Sequence, residues 1–101
     1  MLFVVSEYYI GWGARYDVTG NTDMATISIF REKDRAMAHI ISQINDIIRD
    51  DIDNAEDIDD AEEYFKMSND EMAEMVVRLN EYCCYNFRDH MMYCLEEKEI
   101  Q

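Results

Sequence analysis

Residues 24–50 read MATISIFREKDRAMAHIISQINDIIRD, and the hydrophobic period changes partway through them. From 24 to 30, Ile27 and Ile29 are interleaved with Thr26, Ser28 and Phe30, the β-branched and aromatic mixture of a strand. Beyond Phe30, the residues Met37, Ile40, Ile41, Ile44, Ile47 and Ile48 recur at i, i+3, i+4 and i+7. That spacing gives one apolar stripe and predicts a helix over roughly 32–50. A chain that switches period once in this way is α+β.

Upstream, residues 2–10 form a second strand rich in Phe3, Val4, Val5, Tyr8, Tyr9 and Ile10. Gly11-Trp12-Gly13 and Thr19-Gly20-Asn21 separate the two strands and are turn signals, so an antiparallel hairpin with a long or bulged connection is expected. Two strands alone make no stable sheet, so this pair must pack on helices or pair across a dimer.

Downstream, Ile52, Ala55, Ile58 and Ala61 recur every three residues among acids, a pattern open between a short helix and an ordered loop. Ser68 followed by Glu71 is a capping box. From there Met72, Met75, Val76, Leu79, Cys83, Phe87, Met91 and Leu95 extend one stripe to the C-terminus. With no proline to break it, a single long helix over 69–97 is expected. The overall expectation is one domain over residues 1–101: an N-terminal antiparallel hairpin or small sheet, then two to three helices, the last one long.

At 101 residues and 49% hydrophobic, the chain has enough apolar material for a core without disulfides or metal. Its three cysteines read as reduced thiols of a cytoplasmic protein. Met1-Leu2-Phe3 lacks the basic region of a signal peptide, and no apolar run approaches a membrane span.

The net charge of −14 is concentrated in one place. Residues 46–75 hold thirteen acids against Arg49 and Lys66, which leaves −11 there. An acidic run is ordinarily a solvated surface. Solubility alone does not require this density, and holding like charges together costs stability. If partly helical, the segment carries about one charge per 4 Å, close to the ~3.4 Å spacing along one nucleic-acid strand. The sign argues against binding nucleic acid or an anionic membrane directly, and favours a basic protein surface.

Carried by residues 46–63 and 70–74, this pattern resembles the small acidic inhibitors that phages deploy against host defence, the anti-restriction and anti-CRISPR DNA mimics. The resemblance covers about a third of the chain and lies in charge, not in a motif. It implies a nuclease or CRISPR effector as partner, with its DNA-binding groove blocked, in the host cytoplasm. The residues expected to carry binding are Asp50, Asp51, Asp53, Glu56, Asp57, Asp59, Asp60, Glu62 and Glu63. Trp12, between two glycines, is the expected aromatic anchor. An antitoxin or immunity-type protein, an adaptor and a dimeric structural protein are the alternatives.

Catalytic and metal constellations are poorly supported. Asp51, Asp53, Asp57, Asp59 and Glu62 fit positions of a calcium loop, but Glu56 stands where that loop needs glycine. Cys83, His90 and Cys94 would share a helix face, yet they are too few for structural zinc. His39, expected on an exposed face beside the Ile40–Ile41 stripe, has no nucleophile assigned to it, and no glycine-rich phosphate loop is present. A non-enzymatic protein without cofactor is therefore expected.

Overall fold

The computed structural model describes residues 1–10, 26–55 and 59–99. Its elements are β1 (Leu2–Tyr9), β2 (Thr26–Phe30), α1 (Lys33–Asn54), α2 (Ala61–Phe65), α3 (Asn69–Glu81), β3 (Cys84–Phe87) and β4 (Met91–Lys98). The fold is α+β. One four-stranded antiparallel sheet runs in the order β2-β1-β4-β3, with Phe3 opposite Phe30, Val5 opposite Leu95 and Tyr85 opposite Tyr93.

The antiparallel pairing of β1 with β2 agrees with the hairpin expected from sequence. What completes the sheet is the C-terminal hairpin, whose strand β4 pairs with β1 along its whole length. This corrects the single helix expected over 69–97: helix α3 stops at Glu81, and residues 84–98 form β3 and β4. The error has a definite source. Cys83, Phe87, Met91 and Leu95 are four apart, and a spacing of four keeps residues on one face of either a helix or a strand. The strand reading is favoured by Tyr85, Phe87 and Tyr93, aromatics that suit a pleated, half-buried surface.

The turn between β3 and β4 contains neither glycine nor proline to announce it. Arg88 and Asp89 both take positive φ, 52° and 54°, and the His90 N–H donates to the Phe87 carbonyl at 2.9 Å. Two central residues with positive φ are the signature of a type I′ hairpin turn. Asn86 supports it, because its amide donates to Asp89 Oδ1 at 3.0 Å while its Oδ1 accepts from the Asp89 N–H at 2.9 Å.

The three described helices follow β2, and the core lies between them and one face of the sheet. Ala36, Ile40, Ile44 and Ile48 of α1 are buried at successive i+4 positions, with Met75 and Leu79 of α3 beside them. The sheet contributes Val5, Tyr85, Phe87, Tyr93 and Leu95, all odd-numbered and so all on the same face. Ser68 caps α3 by accepting from the Glu71 N–H at 3.1 Å, as its sequence signature requires.

On the opposite face of the sheet lie Leu2, Val4, Ser6, Tyr8, Ile27, Ile29, Met92, Cys84 and Cys94, and none of the described helices packs on it. On the edge strand β2, Ile27 and Ile29 are 63% and 61% exposed.

Candidate acidic binding face

The acidic segment is built mainly on the C-terminal half of α1, which runs four residues beyond the boundary expected at Asp50. Asp46, Asp50 and Asp53, at i, i+4 and i+7, form a stripe opposite Ile40, Ile44 and Ile48, and all three are exposed. Ile52, half-buried against the core, anchors the end of the helix. Ala55 closes it by donating to the Ile52 carbonyl at 3.2 Å. Asp51 lies close enough to Arg88 to act on its charge.

This placement opposes the electrostatics of the helix. A helix C-terminus carries partial negative charge and is stabilised by cations, yet the last turn of α1 holds no basic residue. Each carboxylate there costs a few tenths of a kcal/mol to about 1 kcal/mol. Among the described residues, no ion pair engages Asp46, Asp50, Asp51, Asp53, Asp59, Asp60 or Glu62.

The chain then turns through Asp59 and Asp60, with Asp60 at φ 56° as the N-cap of α2. Glu62 and Glu63 follow in the first turn of α2, and Glu63 meets Lys66 at 2.9 Å. Thus Asp50, Asp51 and Asp53 are placed on one helix end, and Asp59, Asp60, Glu62 and Glu63 on the turn and short helix that follow. Glu56, Asp57 and Trp12 lie outside the described residues.

The acids of α3 differ. Glu71 makes a bidentate pair with Arg88, 2.9 Å from each carboxylate oxygen to Nε and Nη2, and Glu74 lies 3.7 Å from Arg78. The hydrogen bonds from Arg88 hold the Glu71 carboxyl below its ordinary value of 4.5, against an opposing push from burial. Glu71 thus ties α3 to the C-terminal hairpin and Glu74 pairs within the helix, while Asp70 and Glu81 are exposed and in no ion pair among the described residues.

One aromatic on this face is new. Tyr64 is 73% exposed between Glu63 and Phe65, while Phe65 turns toward the core and meets the Tyr64 ring edge-on at 5.0 Å. The adjacent Tyr64-Phe65 pair was the available signal: on a short helix over a core, only one of two neighbours can face inward.

A second polar cluster lies under the sheet. Glu7 on β1 faces α1, with Oε1 3.9 Å from His39 Nε2, and it sits opposite Tyr93 in the β1–β4 register. Glu7 Oε2, His39 Nε2 and the Tyr93 hydroxyl are buried without a hydrogen-bond partner among the described residues. Burial, with Glu7 adding, pushes the Tyr93 phenol far above its usual range. His39, read from sequence as an exposed-face residue, is instead half-buried and packs on Phe30 at 5.2 Å. The phase of Glu7 with Phe3 and Val5 along β1 marks it as an inward acid.

Metal chemistry finds no site among the described residues: no group of three or more His, Cys, Asp and Glu side chains is arranged to hold an ion. Asp51 and Asp53 are helical, not part of a calcium-binding loop, and His90 and Cys94 belong to a turn and a strand. Two grooves of about 400 and 460 Å³ flank α3. The first is lined by Arg78 and Arg88, which Glu74 and Glu71 already engage. No described helix is long and apolar enough to cross a membrane.

The chain matches no protein-family model and shows no significant similarity to curated proteins or to solved structures.

Proposed function

We propose that this protein is a non-enzymatic inhibitor that occupies the basic nucleic-acid-binding groove of a host defence nuclease or CRISPR effector by presenting carboxylates in place of phosphates. The observation that carries this reading is the unpaired acidic end of α1. Asp46, Asp50, Asp51 and Asp53 fall within about 10 Å of helix axis, a density close to the ~3.4 Å phosphate spacing of one strand. The last turn of the helix, where the dipole disfavours Asp51 and Asp53, holds no basic residue, and among the described residues none of the four acids is in an ion pair. A merely solvated surface gains nothing from that arrangement, whereas a basic groove repays it on binding. Tyr64 supplies the aromatic contact beside the acids, since charge alone gives steering more than residence time.

A second reading rests on a different surface. The sheet face that no described helix covers, with Ile27 and Ile29 exposed on an uncharged strand at the edge of the described sheet, suits a dimer or an adaptor contact.

One experiment separates the two readings. The tagged chain and a D50N/D51N/D53N/E62Q variant are used to capture partners from bacterial lysate, with elution by a salt gradient. Groove mimicry predicts loss of at least tenfold in capture by the variant and elution at moderate salt. Undiminished capture by the variant contradicts mimicry and assigns binding to the sheet face.

A further inference from the structure

Cys83, Cys84 and Cys94 come together where the C-terminal hairpin leaves α3. The Leu95 N–H donates to the Cys83 carbonyl at 2.9 Å, which makes 83 and 95 a hydrogen-bonded cross-strand pair. Pairs alternate along an antiparallel ladder, so Cys84 and Cys94, next in register, form a non-hydrogen-bonded pair. Such pairs hold their Cα atoms about 4.5 Å apart, within the roughly 4.4–6.8 Å that a disulfide spans. Residues directly opposite one another also share a sheet face. Here it is the face away from the described helices, where Cys84 is exposed and Cys94 half-buried, with Ser6 of β1 opposite Cys94 on its other side. Cys83 is the neighbour without a counterpart: it has φ 59° and stands opposite Leu95.

We propose that Cys84 and Cys94 are a redox-active pair that closes into a cross-strand disulfide by exchange with a low-molecular-weight disulfide such as oxidised glutathione. The exposed Cys84 thiolate attacks one sulfur of the small disulfide, whose S–S bond breaks. A mixed disulfide forms on Cys84, and one small thiolate leaves and takes up a proton. The Cys94 thiolate then attacks the Cys84 sulfur, forming the Cys84–Cys94 bond and expelling the second small thiolate. Two protein thiols are oxidised and one small disulfide is reduced to two thiols, the protons passing from cysteines to leaving groups. Burial, with Cys84 and Glu96 adding, raises the pKa of Cys94, so closure accelerates as pH rises. The bond ties the short edge strand β3 to β4 and so stiffens the hairpin that carries Arg88 to Glu71.

The test uses the full chain, reduced, then exposed to oxidised glutathione at mildly alkaline pH. It is read by intact mass, by protease mapping without reductant and by thermal melting. The expected product has lost two hydrogen atoms, retains no glutathione and yields a fragment joining Cys84 to Cys94. Its melting midpoint rises by several degrees and returns on adding dithiothreitol. C83S forms the same bridge; C84S, altered at an exposed position, does not. Glutathione remaining on Cys84 of the native chain, a bridge to Cys83 or a disulfide-linked dimer would each overturn the proposal, and none of these depends on the folding of a variant.

Discussion

Arg88 holds a positive φ of 52°, a conformation that costs a non-glycine residue about 1 kcal/mol or more, yet its side chain reaches back 17 residues to Glu71. The bidentate pair is only partly exposed, with side chains 32% and 22% accessible, so solvent screens it less than a surface pair. Arg88→Ala should lower stability by about 1–2 kcal/mol at neutral pH, measured by denaturant unfolding. The sign of its pH dependence follows from Glu71. Its folded pKa lies below the unfolded value, so the pair's stabilisation is fully present above the ordinary glutamate range. It is lost as pH falls through the depressed folded pKa. The difference between wild type and Arg88→Ala should therefore shrink on acidification below about pH 4. A difference independent of pH would place the contribution of Arg88 in packing on Phe87, 4.8 Å from its guanidinium, and not in the ion pair.

At the scale of elements, α1 pairs a good core face with a poor C-terminus. Ala36, Ile40, Ile44 and Ile48 hold it to the sheet, which lets the last turn carry acids that an isolated helix would disfavour. Replacing Asp50, Asp51 and Asp53 with Asn removes repulsion among them and with the helix dipole, at a gain of about 1–2 kcal/mol. Thermal melting should then show a midpoint several degrees higher. A lower midpoint would mean that these acids serve the fold. Legibility varied with how many structures a spacing permits. The stripe of α1 combines steps of three and four, which only a helix satisfies, and Ser68 with Glu71 marked the start of α3. The steps of four from Cys83 to Leu95 fit helix and strand alike, and the turn at Arg88 and Asp89 uses residues that do not advertise positive φ. That is why the second hairpin, and with it half of the sheet, was hidden. The exposed acids of the candidate face could be read directly from charge. Tyr64 could not, since its outward direction depends on Phe65 finding the core.

Over the whole molecule, the topology separates two surfaces of different chemistry. The helical layer carries the acids of α1 and α2, while the sheet face away from the described helices is mainly apolar, interrupted by Ser6, Asn86 and the Glu96–Lys98 pair, 3.7 Å apart. Within a chain of net charge −14, the densest run of described acids is thereby placed on the helical layer. Groove mimicry assigns the partner to the acidic layer, and duplex DNA is then a rival for the same groove. The deciding measurement is competition: the partner captured from lysate on the immobilised chain is challenged with increasing duplex DNA at constant ionic strength. Mimicry requires that DNA release the partner in a saturable, dose-dependent manner. A partner that stays bound at saturating DNA would contradict it.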